Sequence, residues 1–99
     1  MPPELKVRGV PLHFAPEGFQ ADLDAWISSG ALPDDNLLIA ILRNDLAAIV
    51  GLSKSAATWP MVHDTQVWLW NFAPPQSYGS AEAVAKWQRR GGLERKVLQ

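Results

Sequence analysis

An all-α fold, a compact bundle of about four helices carrying an extended N-terminal arm, is what three features of this sequence predict. Apolar residues recur with a helical period in several segments. Capping and stop residues bracket those segments. Four of the eight prolines (Pro2, Pro3, Pro11, Pro16) crowd the first 18 positions, where a fixed φ and a missing donor exclude a helix. Residues 1–18 therefore read as the arm and 19–99 as a single helical domain. Within the arm, Leu5 to Val10 alternates well enough for a short strand, but no second strand offers itself, so an extended arm is the simpler reading.

The first helix is expected over Phe19–Ser28. Phe19, Leu23, Trp26 and Ile27 lie on one face of a 3.6-residue period. Glu17, Asp22 and Asp24 sit near the positive N-terminal end, and Gly30 fits the position just past the C-terminus. The second helix is expected from Asp34 to Val50, opened by Pro33-Asp34-Asp35-Asn36 and closed by Gly51. Leu37 to Leu42 is apolar nearly all round, which marks a helix surrounded by protein. The third helix is expected over Pro60–Phe72 with Thr58 as N-cap, because proline is tolerated only in a first turn. Ala73-Pro74-Pro75 ends it. The fourth follows the N-cap Ser80, carries Ala81, Val84, Ala85 and Trp87 on one stripe, and stops at Gly91-Gly92.

Composition narrows the function. The chain has 99 residues, enough for one domain and a single core. Hydrophobic residues make up 47%, charged residues 19%, the net charge is −1 and the mean hydropathy is −0.07. That balance excludes wholesale disorder and a global cationic field for nucleic acid. With no cysteine there is no disulfide framework, thiolate metal site or Cys nucleophile. No leader or membrane span is expected, so the reading is a cytoplasmic protein with no membrane partner.

The stretch from Asp35 to Gly92 resembles a family of small phage and prophage helical proteins of unassigned function. The residues that carry it are Asn44-Asp45-Leu46, Trp70-Asn71-Phe72-Ala73-Pro74, Gly79-Ser80, Trp87 and Gly91-Gly92-Leu93. The resemblance implies a compact helical domain of phage origin working in the host cytoplasm, and it brings no catalytic residues. It departs from the family at Leu52–Thr58, where many relatives carry Ala-Asp and a later Asn.

Among candidate site residues, Asn44 and Asp45 come first. On one continuous helix Asp45 shares a stripe with Leu38, Ile41, Leu42 and Ile49, so it points partly inward and needs partners there. It either accepts bonds from a neighbouring backbone or forms a polar socket for a ligand. Trp68 and Trp70 are two apart, about 200° round a helix, so they leave on opposite sides and only one can face the core. With Asn71 and Tyr78 they make an aromatic-rich C-terminal half of the type that recurs at interfaces. Arg89 and Arg90 belong to a basic segment, Lys86 to Lys96. It opposes an acidic one, where Glu17, Asp22, Asp24, Asp34, Asp35 and Asp45 face Arg43 alone.

No constellation for catalysis emerges. His63-Asp64 are adjacent, about 100° apart on a helix, and no nucleophile elbow exists. His-x3-His and His-Glu-x-x-His spacings are absent, so no metal and no cofactor is expected. The expectation is a non-enzymatic phage accessory protein that acts by binding a host protein or a small anionic ligand, with an anti-defence role as one possibility. It is expected to be a homo-oligomer, a dimer joined through the aromatic half. The alternative is a helix-turn-helix regulator built on Leu46–Thr58. Its recognition helix would run into Trp59-Pro60 and holds one cation, Lys54, so no sequence-specific nucleic-acid binding is expected.

Overall fold

A computed structural model describes the backbone of residues 6–7 and 10–11, and residues 12–53 and 55–93 in full. The expected tail cations Arg95 and Lys96, and Lys54 of the turn, lie outside these described residues. Five α-helices are present among them: α1 (Gln20–Ser29), α2 (Asn36–Leu42), α3 (Leu46–Leu52), α4 (Thr58–Phe72) and α5 (Ala81–Arg90). The fold is all-α in its body. The arm finds the strand partner that its sequence did not reveal: β1 (Lys6–Val7) pairs antiparallel with β2 (Val10–Pro11), Lys6 opposite Pro11. Two short 3-10 turns, Leu12–Phe14 and Glu17–Phe19, lead into α1. Leu12 and Ala15 are buried in the same core as the helices.

The expected second helix is two helices, and this is the main correction. Asn44 adopts a left-handed conformation (φ 56°). Asp45 is the N-cap of α3, its carboxylate accepting the Ala48 N–H at 3.2 Å. Asn and Asp compete locally for backbone groups, which favours caps and turns over a helix interior. The apolar stripe continues in sequence through this break, and the corner sends its two halves in different directions. Leu38, Ile41 and Leu42 on α2 are fully buried; on α3 the stripe residue Ile49 is buried as well, whereas Leu46 and Val50 are exposed. The helix buried along its length is therefore the shorter α2, capped by Asp35 through Leu37 N–H and Leu38 N–H.

The other helix ends follow local chemistry. The α4 helix begins two residues before the expected Pro60, entered from a turn in which Thr58 N–H donates to the Ser55 carbonyl. Thr58 is its first residue and not a cap, and Pro60 still lies within the first turn. In α5, Ser80 Oγ accepts the Ala83 N–H at 3.0 Å, and Gly91 closes the helix with positive φ.

Three tryptophans tie the helices together. Trp26, Trp68 and Trp87 are fully buried, each removing roughly 200 Å² of aromatic surface from water. At about 25 cal/mol per Å² that is roughly 5 kcal/mol apiece, an upper figure. The Trp87 indole N–H donates to the Trp26 carbonyl at 2.7 Å, and the Trp26 indole N–H donates to the Ser77 carbonyl at 2.9 Å. These bonds join α5 to α1, and α1 to the 3-10 turn Pro75–Ser77. Gly79 N–H then donates to the Leu42 carbonyl at 2.7 Å, tying that turn to the end of α2. The C-terminal ends of α1 and α5 meet backbone to backbone at Gly30 and Gly92, where an added Cβ on either would lie within 3 Å of the other's nitrogen.

Candidate functional site

The structure divides the candidate residues between core, caps and two separate surfaces. Asn44 and Asp45 are exposed, and Asp45 spends its carboxylate on the α3 cap. The inward polar socket expected of them does not form, because the helix that would have aimed Asp45 inward is broken at that point. Trp68 is 1% exposed and lies against Phe72 (ring centroids 6.3 Å apart), so it belongs to the core and not to a binding surface. Tyr78 is half-buried and packs on the core. Asn71 is exposed, its amide donating back to the Val67 carbonyl at 2.9 Å.

The first surface is the outward face of α4. Trp70 is 80% exposed, and Trp59 and Val67 are each close to half exposed. With His63 they occupy positions i, i+4, i+8 and i+11, within an arc of about 80° at 100° per residue. This stripe lies opposite Val62, Thr65 and Leu69, the side that α4 turns to the core. Trp70 was legible in sequence as one of a divergent pair. Trp59 and Val67 were not singled out as surface residues, and His63 was weighed only for catalysis and metal binding, although their spacing from Trp70 was the available signal. The described residues of the arm from 12 onward do not cover this stripe. Phe14 stacks instead on Phe72, centroids 5.8 Å apart, on the other flank of the helix.

The second surface is a cleft of about 390 Å³ between the 3-10 turn Pro75–Ser77 and α5, lined by Gln76, Ser80, Glu82, Ala83, Lys86, Trp87 and Arg90. Trp87 and Ala83 form its apolar wall. The Arg90 guanidinium carbon stands 4.7 Å from the centre of the Trp87 ring, an arrangement that holds the cation over the π face. Lys86 lies one turn earlier, its ammonium 3.1 Å from the Glu82 carboxylate on a largely exposed pair. Exposed i,i+4 pairs contribute little, so Lys86 is free to exchange that carboxylate for a ligand anion. Arg89 is exposed on the same two turns. Of the described residues from 12 onward, Arg43 is the one other Lys or Arg, against eight carboxylates. Among the described residues from 12 onward, three of the four Lys and Arg thus stand on α5, two of them in the lining of this cleft. Arg90 was among the expected binding residues; Gln76, Lys86 and Trp87 were not, and the Lys86-Trp87-x-x-Arg90 spacing was the signal.

Among the described residues one histidine stands beside a carboxylate. His63 Nδ1 lies 3.2 Å from an Asp64 carboxylate oxygen, a contact that the 100° separation of the two residues had argued against. Both side chains are well exposed, and neither lines the cleft. Among the described residues no three His, Cys, Asp or Glu side chains gather as a metal site. None of the helices among them is long and apolar enough to cross a membrane. Comparison with protein-family models, curated proteins and solved structures finds no match to this chain.

Proposed function

We propose that this chain is a non-catalytic binding protein that takes a small anionic molecule in the α5 cleft. The observation that carries the reading is that Lys86 and Arg90 line one cleft, with Arg89 exposed on the same helix, while the other charges of the described residues from 12 onward are almost all negative. A phosphate or carboxylate would meet the Arg90 fork and the Lys86 ammonium, with Gln76 and Ser80 as polar neighbours. The fork pre-organised on Trp87 loses less rotamer freedom on binding than a free arginine would. A cavity of this size is at the small end for metabolites, so the expected ligand is compact and has one strongly anionic end.

The wider setting remains the phage accessory role implied by Asn44-Asp45-Leu46 through Gly91-Gly92-Leu93. Sequestering an anionic metabolite in the host cytoplasm would suit an anti-defence gene. A host protein with an acidic patch is the other occupant compatible with the same charges. The helix-turn-helix alternative needs a recognition helix between Gly51 and Thr58, but α3 ends at Leu52, the described residues 53 and 55–57 are non-helical, and the α4 that follows contains neither Lys nor Arg. An enzyme is disfavoured because, among the described residues, the one His–carboxylate pair is well exposed and lies outside the cleft.

The test is amide chemical-shift mapping with inorganic phosphate, citrate and ADP as separate probes. Saturable shifts confined to residues 76–90, lost in Arg90→Glu and in Lys86→Glu, are expected. No saturable shift with any probe at about 10 mM, which corresponds to binding weaker than roughly 3 kcal/mol, would remove the reading.

A further inference from the structure

We infer that a second copy of this chain covers the outward face of α4, the two helices lying antiparallel about a twofold axis near residues 64–65. This inference is independent of the ligand reading, since the stripe and the cleft share no residue.

The first ground is that the described residues leave this stripe uncovered. Phe14, the exposed aromatic of the arm, is committed to Phe72, and Leu12 is buried in the core. Neither reaches the stripe, and Trp70 stays 80% exposed. The second ground is self-complementarity, which a twofold interface requires because one patch must fit itself. The stripe reads nearly the same in both directions. A Trp stands at each end, Trp59 and Trp70, about 16 Å apart at 1.5 Å per residue. The smaller His63 and Val67 lie between. An antiparallel pairing sets each Trp59 beside the partner's Trp70 and each His63 beside the partner's Val67.

Charge supplies the third ground. About a twofold axis every charge near the centre meets its own sign, so a homotypic face must be nearly uncharged. The 15 residues of α4 hold no Lys or Arg and a single carboxylate, Asp64. Asp64 projects about 120° away from Trp70 and about 60° from Val67 round the helix, at the edge of the contact, where its carboxylate lies 3.2 Å from His63 Nδ1. A face shaped for the strongly acidic or basic patch of a foreign partner would carry several charges of the opposite sign, and this one carries a single carboxylate at its edge. The fourth ground is area. Trp70, Trp59, Val67 and His63 at their observed exposures offer about 500 Å² per copy, hence about 1,000 Å² in the pair. That is the lower limit for a specific interface. The association is therefore expected to be reversible in the micromolar range.

Sedimentation velocity from about 1 to about 300 µM tests this. The wild type is expected to rise from 10.9 kDa toward twice that mass as concentration increases. Trp70→Glu and Trp59→Glu are each expected to stay monomeric throughout, with unchanged helical circular dichroism. Because the chain has no cysteine, His63→Cys places one thiol beside the proposed axis. A short bis-maleimide should then link two copies in high yield, and the Trp70→Glu background should abolish the link. A wild-type monomer across the whole range overturns the inference. So does a dimer that survives both Trp substitutions, because it must use another surface. Loss of anion binding with the dimer intact, or the reverse, shows which of the two readings has failed.

Discussion

Gly92→Ala is the sharpest test of how this domain is closed. The ends of α1 and α5 cross with backbone against backbone. A Cβ built on Gly92 would lie 2.7 Å from Gly30 N and equally close to Ser28 C and O. All three are main-chain atoms, held by the helix end of α1, so none can rotate aside as a side-chain tip would. Relief needs a shift of roughly 0.7 Å between the two helix ends. Overpacking of that kind costs about 1–3 kcal/mol. Gly92 also has φ +72°, which adds about 1 kcal/mol for any L side chain. Together the loss is about 3 kcal/mol. For a domain of this size the midpoint should fall by about 12–24 °C. Thermal melts followed by circular dichroism at 222 nm measure it. The loosened crossing should also show in tryptophan fluorescence, because the Trp87 indole bond to the Trp26 carbonyl lies in the same crossing. Gly51→Ala is the control: it sits inside α3 with nothing within 4 Å of the new Cβ. It should raise stability by about 1 kcal/mol through helix propensity alone. If Gly92→Ala melts within about 2 °C of wild type, the helix ends do not meet as described.

Two further substitutions probe single groups. Thr65 is fully buried in α4 and its hydroxyl has no hydrogen-bond partner; the isosteric Thr65→Val should stabilise by about 1 kcal/mol, and a lowered melting point would mean the hydroxyl is satisfied in solution. Asp45→Ala removes the α3 cap and should cost about 1 kcal/mol in urea unfolding while leaving phosphate titrations unchanged, whereas a loss of anion binding would return Asp45 to a ligand role.

Local chemistry was readable, and contacts between distant segments were not. The bounds of α5 followed from Ser80 and Gly91 because both act within one turn of where they stand. The end of α1 followed from Gly30 for the same reason. The break at Asn44-Asp45 was missed although its signal was present, since an unbroken apolar period outweighed two residues with strong turn and cap preferences. That one misreading had two consequences. It aimed Asp45 inward, and it hid the exposed apolar side of α3. The opposition of Trp68 and Trp70 followed from their spacing. Which of them faced inward depended on the roll of α4 against α2, where Gln66 reaches the Ile41 carbonyl at 3.5 Å. The cleft needed the turn Pro75–Ser77 to be brought against α5, and that placement rests on the Trp26 bond to Ser77, 51 positions apart. The Gly30–Gly92 contact spans 62 positions and leaves no local trace at either end.

The residues behind the phage-family resemblance turn out to be caps and joints. Asn44 takes the left-handed corner and Asp45 caps α3. Gly79 bonds to the end of α2, and Ser80 caps α5. Trp87 bonds to α1, and Gly92 makes room for Gly30. These positions determine where helices start, stop and cross, which is what a shared fold demands and what a shared ligand does not. Trp70, Asn71 and the Pro-bounded helix end are the part of the pattern that reaches the surface. Lys86 and Arg90 fall outside it altogether. A protein that keeps the caps and joints is thus expected to keep α2 to α5 and the crossing with α1. Its ligand, by contrast, is set by whatever stands at positions equivalent to Gln76, Lys86 and Arg90. The anion specificity proposed for this chain then rests on those three positions, and its helical frame rests on the caps and joints.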